Sequence, residues 1–377
     1  MEVEAAMNRY KADVLDHFVS AKASRDARAA LRDDPVYREL KSRLDAIGFF
    51  APAPWDYAWR VALALAIGAA GWAAIVAGAW WTVALGVIAV GIAMVQWSFL
   101  AHDAGHGALA KRPWLVELVG QTHSSLLSGF SFTYFRRSHD LHHFHTNEQE
   151  LDPDCLSDLF SVEAWSAERK TGIGRWMTRY QAVLMPLLFP MWALAMKWDG
   201  LCFLARHPAR CWRDVTAIAL HVALWLVVPI AIAGPVVGIV AYLGANAIAG
   251  IYLGVVTPMN HQATTYLGAA HTLSFVEHQL ATCRNIRSPA RPIGWLFDYL
   301  FVGLNRQIEH HLFPWAPVSR LPAGARVVRA LCRERGLPYN EMSYRAAVAE
   351  LVHHFARVGR MTSRDARWRL SSESPRV

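Results

Sequence analysis

VALALAIGAAGWAAIVAGAWWTVALGVIAVGIAMVQWSFLA, residues 61–101, contains no Asp, Glu, Lys or Arg. A bilayer crossing takes about 20 apolar residues, so this stretch predicts two membrane helices back to back. They should cover about 58–78 and 82–101, with the turn near Gly78-Ala79-Trp80-Trp81-Thr82. A second uncharged stretch runs from Val215 to Val276, and Ala233-Gly234-Pro235 divides its first part into crossings of about 215–232 and 236–256. The fold class read from this pattern is an all-α integral membrane protein with four transmembrane helices in two hairpins. A fifth apolar run, 182–196, is shorter, carries Pro186 and Pro190, and is closed by Lys197 and Asp199. It is expected to lie at the interface, because a crossing there would put His139 and His143 on the opposite side from His310 and His311.

Composition supports the same class. The chain of 377 residues is 54% hydrophobic and 18% charged, and its mean hydropathy of +0.18 excludes a disordered chain or an ordinary soluble enzyme. Sixteen Trp suit a protein with long membrane interfaces. The net charge of +8 sits mostly toward the two ends and lacks interleaved aromatic residues, which points to membrane surface and cytosol rather than nucleic acid. Cys155, Cys202, Cys211, Cys283 and Cys332 form no CxxC pair, so a reducing compartment is expected. The acidic, polar start MEVEAAMNRYKADVLDHF does not read as a secretory signal. Arg25, Arg28, Arg32, Lys41 and Arg43 precede the first span, and 320–369 is arginine-rich, so both termini and the histidine clusters are expected in the cytosol. Three regions follow: an N-terminal cytosolic or interfacial helical segment 1–54, a membrane unit 55–339, and a basic cytosolic tail 340–377.

The chemistry is carried by histidines at the ends of the predicted spans. HDAGH places His102 and His106 four residues apart, on one face of a helix. RRSHDLHHFHTN, residues 136–147, spaces His139, His142 and His143 so that a second helix directs three imidazoles to one point. NRQIEHHLFP, residues 305–314, adds His310 and His311 with Gln307 three residues before His310, and His261 lies at the end of the fourth span. A single His-xxx-His pair is more often packing than a metal site. Eight imidazoles at one predicted membrane depth are too many for one tetrahedral zinc, and suit two iron ions working with dioxygen.

These boxes resemble those of the integral-membrane fatty acid desaturases, and so do HTNEQELDPD over 145–154 and FVEHQLATCRNI over 275–286. The likeness runs from about Trp55 to Tyr339, and glutamine in place of the first histidine of the third box resembles the front-end desaturases and their bacterial relatives. The resemblance implies a cytosolic helical cap holding a diiron site ligated by His102, His106, His139, His142, His143, His261, His310 and His311. Gln307 is implied as a ligand or as a neighbour of one. Asp103, Asp140 and Glu309 flank box histidines and are expected to accept their remaining ring N–H, with solvated surface charge as the plainer alternative. His278 is expected beside the site or lining the substrate channel, and Asn147, Asp152 and Asp154 in closing the loop after the second box, while His145, close behind that box, reads more simply as a residue outside the site.

The implied activity is oxygen-dependent desaturation of an acyl chain held as a thioester or a lipid, with two non-haem iron ions, O2 as co-substrate and membrane lipid as surroundings. No His-Pro-Gly-Gly haem motif of a fused cytochrome b5 occurs, so electrons are expected from a separate carrier, a ferredoxin or similar protein with its reductase. The arginines near the C-terminus suit anionic lipid better than an acidic carrier. A lipid hydroxylase on the same scaffold is the close alternative. A non-enzymatic metal-binding or transport protein is the distant one, since transport would place its ligands within the spans.

Overall fold

The computed structural model describes residues 34–156, 160–268 and 270–361. Helix α1 (Pro35–Ala46) is started by Asp34, whose carboxylate accepts from the N–H groups of Val36 and Tyr37 at 2.8 and 3.1 Å. The hairpin of α2 (Pro54–Val76) and α3 (Trp80–Gly105) follows. Its turn holds Gly78 at φ +79°, a left-handed conformation that glycine adopts without strain. Helix α4 (Pro113–Gly120) runs on as a π-helical segment, Gln121–Ser128, and leads to α5 (Phe132–Phe144). The short α6 (Ala164–Glu168) precedes the long α7 (Gly172–Arg206). Next come α8 (Trp212–Val222), a π-helical turn and α9 (Val228–Ala233), and after Gly234 at φ +88° the chain reverses into α10 (Pro235–Val256).

Five helical stretches are long and apolar enough to cross a membrane: Pro54–Val76, Trp80–Gly105, Gly172–Arg206, Trp212–Ala233 and Pro235–His261. The chain is therefore a multi-pass membrane protein, with exposed Trp, Leu, Val and Ile along these helices. Four of the five occupy the two uncharged stretches. The fifth corrects the reading of 182–196 as a short run broken by proline. Pro186 and Pro190 lie inside a continuous helix of 35 residues. Its seat on α10 explains why proline does not end it: Gly250 and Gly254 have no side chain, and a Cβ on either would come within 2.4 Å of Phe189. Close packing on a neighbouring helix supports a proline-containing segment that would be unstable alone.

The remaining elements follow α10 in the chain. They are α11 (Pro258–His261), α12 (Phe275–Thr282), α13 (Ile293–Phe301), α14 (Gln307–Leu312), α15 (Leu321–Arg335) and α16 (Tyr344–Arg360). The fold is mostly rather than purely helical, another correction. Strands Asn285–Arg287 (β1) and Glu341–Ser343 (β2) pair in parallel with Ile286 opposite Met342. The pairing serves the site, because Asn285 in β1 accepts from the Ile308 N–H at 2.9 Å and so pins the start of α14. One apolar core joins α2, α3 and α10 around Trp97, Val90 and Ala249. A second joins α1, α12, α14 and α15 around Leu44, Leu280, Phe313 and Val328. The histidines lie between them. Val14, Leu15 and Phe18, read as helical, lie outside the described residues, as do 362–377 of the tail.

Candidate metal centre

The eight histidines gather into two adjoining groups. His102, His106, His139, His143 and His310 form one, and His142, His261 and His311 the other, with the nearest ligand atoms of each group within 4.8 Å of one another. The division follows from helix geometry. Residues four apart share a face, which joins His102 to His106 and His139 to His143. Adjacent residues diverge by about 100°, so each His-His pair forks, sending His143 and His310 to one group and His142 and His311 to the other. The second box therefore does not aim three imidazoles at one point. The groups meet where the rings of His143 and His311 stack with centroids 4.0 Å apart.

Outer contacts set the ring tautomers. His102 Nδ1 faces Asp103 Oδ1 at 2.9 Å, and the Tyr57 hydroxyl donates to the other oxygen of that carboxylate at 2.9 Å. His142 Nδ1 faces Asp152 at 3.0 Å, His261 Nδ1 faces the Thr282 carbonyl at 3.2 Å, and His311 Nδ1 faces Gln279 Oε1 at 2.9 Å. With Nδ1 protonated by such partners, the Nε2 lone pairs point inward.

Those inward atoms lack protein partners. The Nε2 atoms of His102, His106, His310 and His311 are buried without a hydrogen bond, and so is Gln307 Oε1. His139 and His143 bring their Nε2 atoms to 3.1 Å, and His142 and His261 bring theirs to 3.4 Å. Buried polar atoms are rarely left unpaired, and so many converging nitrogens fit a cation that accepts several of them. Burial holds the pKa values of His139, His143, His310 and His311 well below the ordinary range, so these rings stay in the neutral form that ligates. His142 differs. Burial works against its charge, but Asp152 and Asp154 outweigh that and hold its pKa at about 9.

The remaining sequence candidates divide. Gln307 enters the three-histidine group, its amide 2.8 Å from His261 Nε2. Asp103 contacts a box histidine as expected of it. Asp140 is exposed and makes no hydrogen bond to a histidine ring among the described residues. Glu309 is buried but serves Asn285 and Tyr339, accepting from them at 2.8 and 2.9 Å, and burial pushes its pKa up to about 7. His278 is bound to the Thr146 carbonyl, outside both groups, and His145 pairs with Glu148. Asp152 does more than the loop closure expected of it: it accepts from the Asn147 and Asp154 N–H groups and also holds His142. Gln279 and Thr282 carry no signal of their own in the sequence beyond their place in the FVEHQLATCRNI segment.

Comparison with known proteins places this geometry. The chain is 27% identical over 346 residues to the Delta(8)-fatty-acid desaturase of Euglena gracilis, covering 87% of this chain and 80% of that one. It is 25% identical over 354 residues to the Acyl-lipid (8-3)-desaturase of a Thraustochytrium species, covering 92% and 79%, and 24% identical over 329 residues to human Fatty acid desaturase 3, covering 86% and 72%. The profile of the fatty acid desaturase family matches residues 78–343, most of the chain and every box histidine, and the chain belongs to that family.

Proposed function

We propose that this chain introduces a double bond into a fatty acyl chain at an iron pair held by its two histidine groups. The observation that carries the reading is the gathering of eight buried or half-buried imidazoles, four of which (His102, His106, His310 and His311) leave an Nε2 atom with no hydrogen-bond partner. His102, His106, His139, His143 and His310 would hold one ion; His142, His261 and His311, with Gln307 completing the set, would hold the other. When bound, the iron pair supplies the redox chemistry, in which dioxygen, two external electrons and two protons take two hydrogens from neighbouring methylenes and leave two waters.

The protein's own work is geometric. Asp103, Asp152, Gln279 and the Thr282 carbonyl fix ring orientation, so that the ligand atoms do not reorganise during turnover. The apolar core beneath the groups keeps water from the reacting methylenes, and the acyl chain must be held so that one methylene pair faces the centre. Electrons come from a separate carrier, a ferredoxin or similar protein with its reductase.

Residues 55–339 form the membrane unit in this reading, with four crossings and the cap and both termini in the cytosol. Its support is parity. His143 and His261 belong to adjoining groups, so the chain between them must cross the membrane an even number of times. Helices α8–α9 and α10 supply two crossings, which leaves α7, one continuous helix, to lie at the membrane interface with both its ends on the same side. Lys197 and Asp199 within α7 suit that placement.

The test is lipid analysis after expression with a suitable electron carrier, comparing the wild type with His142→Ala. A new product two mass units lighter than its precursor, absent in the variant, is expected. A gain of sixteen units would move the assignment to hydroxylation, and intact protein with no new product would contradict the proposal.

A further inference from the structure

A cavity of about 270 Å³ lies between the loop after the first box and the segment after the third. Its lining combines apolar surface from Phe50, Leu109, Trp315 and Pro317 with two cations, Lys111 and Arg112. The lining holds no carboxylate, and neither cation has an ion-pair or side-chain hydrogen-bond partner among the described residues. Both are exposed, whereas the nearby Lys41 is already paired with Asp45.

The cavity is built into the frame of the metal centre. The Ala108 and Leu109 N–H groups donate to the Asp103 carbonyl at 2.9 and 3.3 Å, while the Asp103 carboxylate meets His102 and Tyr57. On the other wall, Trp315 stacks on Phe50 only four residues beyond His311. The site also sits where α2 begins and α3 ends, with Trp55 and Trp114 largely exposed nearby, the setting of a membrane interface.

We propose that this cavity binds the phosphate-bearing head of the amphiphilic acyl substrate, an inference that rests on the desaturase reading and extends it to the substrate's carrier. Two unpaired cations next to an aromatic wall match an anionic phosphate joined to an apolar chain. The volume suits a head group rather than a whole acyl chain, since pockets for drug-sized ligands begin at about 300 Å³. The phosphate could belong to a phospholipid or to a coenzyme A thioester.

The test is calorimetric binding on the purified full-length protein in a neutral detergent, with three probes: dihexanoyl phosphatidylglycerol, dodecanoyl-coenzyme A and phosphate-free monolaurin. In Lys111→Ala/Arg112→Ala, affinity for at least one phosphate probe should fall about tenfold or more, as expected for lost charge-assisted contacts. The swap Lys111→Arg/Arg112→Lys should restore it, and Arg326→Ala/Arg333→Ala on α15 should leave it unchanged. A loss confined to the phosphatidyl probe would identify an acyl lipid, and one confined to the thioester an acyl-coenzyme A. Phosphate probes unaffected by the alanine pair, monolaurin weakened equally, or the α15 pair acting the same way would each overturn the proposal. Because binding is read without turnover, a wild type that binds in this charge-dependent way but forms no olefin would sink the desaturase reading and leave the cavity assigned. An active enzyme whose KM ignores the alanine pair would do the reverse.

Discussion

The two histidine groups share helices α5 and α14 yet differ in what surrounds them. The larger has five imidazoles, and Asp103 is the one carboxylate that touches any of their rings among the described residues. The smaller has three imidazoles, an amide from Gln307, and a carboxylate pair on His142 strong enough to hold that ring near pKa 9. The first group is assembled by number and burial, the second by hydrogen bonding. An ion in the smaller group must displace a proton from His142, whereas burial keeps His106, His139, His143 and His310 of the larger group neutral. Two adjoining groups of unlike donor strength follow from a single sequence device, the forked His-His pair.

The largest effects should come from the forks. His142→Ala and His143→Ala are both expected to bring desaturation to background. Bound iron should fall to about one ion per chain in His142→Ala, and less far in His143→Ala, where four imidazoles remain to hold that ion. Metal analysis of the purified variants checks this, and equal losses would break the distinction between the groups. Next in size is Asp152→Asn, which keeps the side chain's size but turns one of its two accepting oxygens into a donor, so that it weakens the hold on His142 and gives up one of the two N–H bonds that close the loop. Iron affinity at the smaller group or turnover should fall about 10- to 100-fold.

In the metal-free protein, acidity should act on His142 in the opposite sense to the other shifted histidines. Burial depresses the folded-state pKa values of His139, His143, His310 and His311 below the ordinary value of about 6.5. The stability they contribute is present above that pH and is lost as pH falls through their folded values. His142 is raised, so its contribution is complete below about pH 6.5 and is lost as pH rises through about 9. Thermal unfolding against pH should therefore peak near pH 6.5, with the steeper fall on the acid side, and Asp152→Asn should flatten the alkaline side. The smallest effect belongs to Glu309→Gln, which touches neither group. With the Glu309 pKa near 7, the neutral amide replaces a carboxyl that is already partly protonated at neutral pH, so stability should change by less than about 1 kcal/mol and iron content not at all.

What could be read from the sequence follows from distance along the chain. The uncharged stretches, the glycine turns at Gly78 and Gly234 and the eight histidines are local patterns, and the structure sets helices, turns and clusters on them. The fork was also local, since the angle between neighbouring helix residues separates His142 from His143, although the three rings of that box were read as one set. Asp152 was not local in this sense. It reaches His142 from ten residues away, through a loop that turns at Asn147 with φ +54°. The reading of 182–196 weighed its prolines and could not weigh the glycine face of α10, more than fifty residues later, on which Phe189 rests. Adjacency misled as well, for Asp140 and Glu309 stand next to box histidines in sequence and serve none of them.

The most direct test of two unlike metal sites is a Mössbauer spectrum of the full-length protein purified with iron-57. Two quadrupole doublets of equal area are expected, one from the five-imidazole set and one from the set completed by Gln307, with Gln307→His moving only the second. A single doublet that Gln307→His leaves in place, or bound iron well below two ions per chain in active enzyme, would contradict it.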